Sequence, residues 1–438
     1  MRIGIVAAFF AAMAWQPGAS AQDGPDLEQA IAGDYPYLQE LFEHLHANPE
    51  LSMQEHKSSD RMAAELEAAG FEITRGIGNT GLVGKMHNGD GLMLMIRADM
   101  DALPVEEKTN LSYASQARQV NLEGVEMPVM HACGHDMHMT TLVGVARLMA
   151  ALKDQWRGTL MLVAQPAEEA LGGALAMVAD GLYKRVGKPD FALALHVSAG
   201  VPSGSIIMSE GFAYSSADTV NIVVHGVATH GASPHLGRDP IVIASQIVLN
   251  LQTIITREVS PIEPALITVG AFNAGTAPNV IPDHAVLQIT VRANNEETRT
   301  LLLDSIERVA INTARTAGVP EELLPEVTVA DDGASPTIND TPLAHRVRAT
   351  IAAGMGEDVF IEFKQSDMGA EDFPDLVKTD PPIPSVYFEV GGTPQADLDS
   401  GDWAGHHSPL FRIDPEGSIT AGVEAMTLAA LDLLAPDS

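Results

Sequence analysis

Residues 130–140 read MHACGHDMHMT and hold three histidines together with Cys133, the only cysteine of the 438-residue chain. A cysteine with no partner in its own chain is a stray thiol, half of an intermolecular bridge, a nucleophile or a metal ligand. Cys133 and His135 stand two apart on what reads as a loop, so both can point at one centre. TLMLVAQPAEE (159–169) runs into paired carboxylates, Glu168 and Glu169, and FALALHV (191–197) runs into His196. GLMLMIRADMD (91–101) leads toward the HACGHD loop and carries Asp99 and Asp101. Thiol, imidazole and carboxylate together suit zinc or a similar first-row metal.

These groups need a scaffold that brings them together. Helical periodicity covers residues 26–49 and 57–70, and a helix of small and apolar residues follows the quoted motif, TTLVGVARLMAALKD. GLVGKMH, the runs ending at Asp101, Glu169 and Val197, and PSVYFEV (384–390) read as buried strands. Apolar strands alternating with helices predict an α/β fold whose mixed sheet is covered by helices on both faces. In such sheets ligands collect at the carboxyl ends of the strands. Near residue 216 the pattern changes to strand, helix, strand, strand, helix: ADTVNIVVHG, Pro240–Arg257, ITVGAFNAG, AVLQITVRA and ETRTLLLDSIERVAINTARTAG. That is the order of a small α+β open-faced sandwich. The expected organisation is a catalytic domain in two parts, 22–215 and 333–438, interrupted by an inserted domain over 216–332. A helix is predicted over 343–354.

The first residues, MRIGIVAAFFAAMAWQPGASAQDG, place Arg2 before an apolar run from Ile3 to Trp15 and then an A-x-A pattern ending at Ala21. That layout predicts a signal peptide over 1–21 and a periplasmic or secreted product, the run being too short to span a bilayer. The formal charge is −33, from 25 basic and 58 acidic residues. At long range such a surface repels nucleic acid and anionic membranes, so neither is an expected partner.

The segments LHANPELSMQE (45–55), RADMDALP (97–104), MHACGHDMH (130–138), QPAEEALGGA (165–174), LHV (195–197), NVIPD (279–283), MGAEDF (368–373) and HHSP (406–409) occur in one order along the chain. In that order the sequence resembles the amidohydrolase branch of the two-metal aminoacylase and carboxypeptidase family, which includes hippurate and auxin-conjugate hydrolases. The resemblance implies that Cys133, His135, Glu169, His196 and His407 bind two divalent metals (Zn, Mn, Co or Ni). It implies that Glu168 is the general base, and that the inserted domain dimerises so that His230 polarises the scissile carbonyl in the partner's site. Asn279, Arg292, Gly369 and Ala370 match positions that hold a substrate carboxylate. His131, His138 and His406 are expected to support the site without ligating, and Asp99 and Asp101 to orient it. The Ala-Thr pair before His230 departs from the glycines usual in relatives. The implied activity is cleavage of N-acyl-amino acids or short peptides, with a carboxypeptidase or dipeptidase as the alternative. A cysteine-nucleophile amidase would leave Glu168, Glu169, His196 and His407 without roles. A metal-binding module without catalysis would have no use for Glu168.

Overall fold

The computed structural model of the chain describes residues 27–436, and the signal peptide expected over 1–21 lies outside the described residues. Its larger sheet has eight strands, in the spatial order Glu72–Ile77, Gly81–Asn88, Gly158–Gln165, Met93–Asp99, Phe191–Pro202, Ser385–Thr393, Ile206–Ile207 and Phe360–Ile361. The four strands from Gly158–Gln165 to Ser385–Thr393 run parallel, while Glu72–Ile77 and Gly81–Asn88 add antiparallel pairs. The sheet is therefore mixed, as the sequence predicts.

Side chains alternate across a strand, so each strand feeds two cores. Leu94, Ile96, Leu160, Leu162, Leu193 and Leu195 belong to the core shared with helices Leu27–Ala47, His135–Ala151 and Pro415–Leu433. Met95, Met161, Val163, Ala192 and Ala194 belong to the opposite core, under Gly173–Ala179, Leu182–Val186 and Phe373–Val377. Burial on both faces explains why these strands read as unbroken apolar runs.

The smaller sheet is antiparallel, in the order Ala265–Ala274, His284–Ala293, Asp218–His225 and Glu326–Val329. Val220, Ile222, Leu287, Ile289 and Val291 pack against Ile243, Ile247 and Leu251 of helix Pro240–Arg257 and Leu302 and Ile306 of helix Glu296–Thr316. Among the described residues one face carries the helices; on the other, Thr219 is exposed and Asn221 half-buried. Each helix opens on a side-chain cap: Asp239 accepts from the Ile241 N–H and Asn295 from the Thr298 N–H. The chain leaves the larger sheet through Phe212–Tyr214 and returns through Thr337–Ile338, and these two segments pair antiparallel. Among the described residues no helix is long and apolar enough to cross a membrane.

Candidate metal centre

The parallel strands deliver their polar residues to one end of the sheet. His196 lies within the strand Phe191–Pro202, which continues past the run legible in the sequence. Glu168 and Glu169 follow Gly158–Gln165 on a turn whose Ala167 has φ +50°. His135 is not on a loop with Cys133, as the spacing suggested: it is the first residue of helix His135–Ala151, which starts five residues before the apolar run. The break between them is Gly134, with φ +91°. A Cβ there would lie 2.2 Å from Val197 Cγ1, so both conformation and space call for glycine.

The donor atoms of Cys133, His135 and His196 lie within 4.8 Å of one another, and so do those of Cys133, Glu169 and His407. Cys133 is common to both triads. Its Sγ is 3.5 Å from His196 Nε2, and His407 Nε2 is 3.4 Å from Glu169 Oε2. His135 Nε2 is 3.8 Å from both Glu168 Oε2 and Glu169 Oε1. The rings of His135 and His196 are each aimed by their other nitrogen. His135 Nδ1 meets the Asp101 carbonyl at 2.8 Å, and His196 Nδ1 meets the Val197 carbonyl at 2.6 Å, which frees both Nε2 atoms for a ligand. His407 adopts φ +62° and gives its N–H to the Ala132 carbonyl at 2.8 Å, tying it to the Cys133 loop.

The neighbouring histidines have other partners. His138 Nδ1 pairs with Asp99 Oδ1 at 2.7 Å while its Nε2 accepts the Val197 N–H at 2.9 Å, so both nitrogens are engaged. His406 Nε2 accepts the Ala199 N–H at 3.2 Å. His131 is buried with neither ring nitrogen hydrogen-bonded, and burial lowers its pKa to about 4. Asp101 binds backbone: its two oxygens accept the N–H groups of Glu168 (3.0 Å) and Glu169 (3.1 Å).

Two observations fit this donor set to cations. His135 Nε2 and Glu169 Oε1 are buried polar atoms without a hydrogen-bond partner, and a metal ion satisfies both. The local field also favours positive charge. Burial opposes a proton on His135, yet Asp99 and Asp101 raise its pKa to about 10. Burial, then the carboxylates of Glu371 and Glu169, push Glu168 well above the carboxylate range. Burial and the carboxylates of Glu169 and Glu168 likewise push the Cys133 thiol far up. A free nucleophilic thiolate needs the reverse, so the geometry disfavours a cysteine amidase, whereas a bound cation deprotonates a coordinating thiol.

Sequence reasoning passed over what lies beneath the site. Arg97 is buried and its guanidinium donates to Asp99 (2.8 Å), Glu371 (2.7 Å), Asp372 (3.1 Å) and Gln165 (2.8 Å). Glu371 also accepts the Tyr387 hydroxyl at 2.5 Å. The carboxylates of Glu168, Glu371 and Asp372 lie within 4.8 Å of one another, so Arg97 offsets a charge cluster next to Glu168. RAD and AED were visible as motifs, but nothing local announced that they pair.

The remaining predicted residues are not members of these donor triads. His230 is exposed on a two-stranded ribbon, paired with Val280, and Gly231 gives its N–H to the Asn279 carbonyl at 2.7 Å. Its Nδ1 accepts the Ala232 N–H at 3.0 Å, which puts the ring proton on Nε2. Arg292 is half-buried on His284–Ala293, and burial lowers its pKa. The Gly369 N–H is already given to Asp367 Oδ1 at 2.9 Å, and the Gly369 carbonyl accepts from Ser215.

Sulfur, imidazole and carboxylate donors gathered at one end of a mixed sheet form a candidate metal centre. The chain belongs to peptidase family M20/M25/M40, whose model matches residues 95–432. It is similar to the hippurate hydrolase of Campylobacter jejuni, 35% identical over 334 residues, 75% of this chain and 82% of that protein. Thermostable carboxypeptidase 2 of Saccharolobus solfataricus is 33% identical over 391 residues, 88% of this chain and 93% of that protein. Among solved structures, the YXEP protein of Bacillus subtilis, a dinuclear metal binding peptidase of the same family, superposes with a TM-score of 0.74. That match has 29% identity and covers 93% of this chain and 99% of the other. The chain is thus a metal-dependent hydrolase of amide or peptide bonds.

Proposed function

We propose that the chain cleaves N-acyl-amino acids to a carboxylic acid and a free amino acid. In this reading Cys133, His135, Glu169, His196 and His407 hold two divalent ions, and Glu168 is the general base. The observation that carries it is the pair of donor triads sharing Cys133, with the buried Glu168 beside them. When bound, divalent ions polarise the amide carbonyl, lower the pKa of water and oppose the carboxylate field around Glu168.

Glu168 takes a proton from the attacking water as oxygen bonds to the carbonyl carbon, then delivers it to the leaving nitrogen as the C–N bond breaks. Its burial and carboxylate neighbours raise its proton affinity, which suits a group that must keep a proton between those steps. His230, with its proton on Nε2, presents a donor to the carbonyl oxygen, reaching a partner's site across an isologous dimer of the smaller domains. Asn279 adjoins the His230 ribbon, and Arg292 supplies a guanidinium for the substrate carboxylate. Because the Gly369 N–H is engaged by Asp367, the rest of that cradle falls to Ala370. The layout of residues 1–21 supports export. The likeness to a carboxypeptidase favours peptides as a second substrate class, since the cleavage step is shared.

The test is a pair of substitutions assayed on N-acetyl and N-benzoyl amino acids and dipeptides. Glu168→Gln should keep its metal and lose about 10²–10⁴-fold in kcat. Glu169→Gln should lose metal by elemental analysis. The opposite pattern would reverse the two roles.

A further inference from the structure

The turn that presents Glu168 and Glu169 is held by two carboxylates, Glu55 and Asp101. Three consecutive N–H groups on it are taken by carboxylates from other parts of the chain. The Ala167 N–H donates to Glu55 Oε1 at 2.9 Å, the Glu168 N–H to Asp101 Oδ1 at 3.0 Å and the Glu169 N–H to Asp101 Oδ2 at 3.1 Å. Ala167 and Leu171, on either side of the glutamates, both have φ +50°, a region where a non-glycine residue persists only if its surroundings hold it.

Glu55 is fully buried. Its Oε1 also accepts the Met53 N–H at 2.8 Å, and its Oε2 takes the Thr80 hydroxyl at 2.5 Å. The segment that carries it is braced in turn. Leu51 gives its N–H to Gln119 Oε1 at 2.7 Å, and Asn79 Nδ2 donates to the Met53 carbonyl at 2.7 Å. Glu55 thus stands on a fixed platform and hydrogen-bonds the turn before Glu168 through the Ala167 N–H.

We infer that Glu55 is a positioning residue for amide hydrolysis: by holding Ala167 it sets the directions in which the Glu168 and Glu169 side chains leave the backbone. The inference rests on the proposed roles of those two glutamates. Neighbouring side chains on a turn diverge, so a rotation of the peptide at Ala167 swings both at once. The clamp needs hydrogen-bond acceptors at fixed positions and no charge. Burial, with Asp101 nearby, raises the Glu55 pKa to about 7, in keeping with a carboxyl that works in either form. Glutamine keeps an oxygen for Ala167 and Met53 and turns its amide to the Thr80 oxygen. Aspartate is a methylene too short to span both sides, and alanine removes the clamp.

The experiment compares Glu55→Gln, Glu55→Asp and Glu55→Ala in the full-length, metal-loaded protein. Steady-state kinetics at saturating metal are normalised to folded, metal-containing sites. Glu55→Gln should stay within about threefold of the parent kcat. Glu55→Asp and Glu55→Ala should lose about 10- to 100-fold in kcat, with KM moving far less. Full parent kcat in Glu55→Asp, or an equal loss in Glu55→Gln and Glu55→Ala, overturns the inference. If Glu55→Ala does not fold, the comparison of Gln with Asp decides. Glu168→Gln serves as the control. If it stays active, the underlying role of Glu168 fails; if it is inactive while Glu55→Asp is unimpaired, only the clamp fails.

Discussion

His46 offers a measurable test of the electrostatics behind the HACGHD segment. It lies at the end of helix Leu27–Ala47 and is 3% exposed. Its Nδ1 meets Asp136 Oδ2 at 2.7 Å and its Nε2 meets Glu107 Oε1 at 3.2 Å, so both nitrogens face carboxylates and the ring is an imidazolium. Burial works against that charge. The hydrogen bonds and fields of Asp136 and Glu107 outweigh it and raise the pKa from 6.5 to about 9. The difference corresponds to about 3 kcal/mol of folding stability. Because the folded-state pKa is the higher one, this contribution is fully present below about pH 6.5 and is lost as pH rises through about 9. Glutamine is neutral and can donate to only one of the two carboxylates. His46→Gln should therefore be less stable by about 3 kcal/mol near pH 6, with the gap closing toward pH 10. Urea unfolding of both proteins at a series of pH values measures the difference; groups that do not touch His46 cancel, while Asp136 and Glu107, whose pKa values His46 lowers, move with it. A gap that stays constant over that range would refute the imidazolium assignment.

Chelation should abolish hydrolysis, and Zn²⁺, Mn²⁺, Co²⁺ or Ni²⁺ should restore it; full activity in protein shown to be metal-free by elemental analysis would rule out the proposed centre. Mixing inactive His230→Ala and Glu168→Gln subunits should regenerate activity on exchange if His230 works across a dimer, because one cleft of each mixed pair is then intact. No recovery in exchanged mixtures would place His230 in its own subunit's site.

Much of the catalytic half was legible because its signals are local. Strands buried on both faces must be apolar throughout, so TLMLVAQ and FALALHV stood out, and the polar residues that end or interrupt them marked where ligands gather. The start of helix His135–Ala151 was not legible. Its first turn buries His135, Asp136 and His138, polar residues that carry no apolar periodicity. Nor was the extent of Phe191–Pro202 legible, since its later residues are stabilised by pairing with Ser385–Thr393, far along the chain.

By itself the sequence determined the layers of the fold, the metal-suited residue types and the order in which they arrive, because periodicity and motif spacing are properties of neighbouring residues. Only the tertiary structure decided the partners. It set His138 against Asp99 and Val197, used Arg97 to offset Glu371 and Asp372 across 274 and 275 residues, and gave Glu55 the Ala167 N–H across 112. Those contacts depend on which strand ends become neighbours in the sheet. Hydrogen bonds and charge pairing act over a few ångströms of space, whatever the distance along the chain.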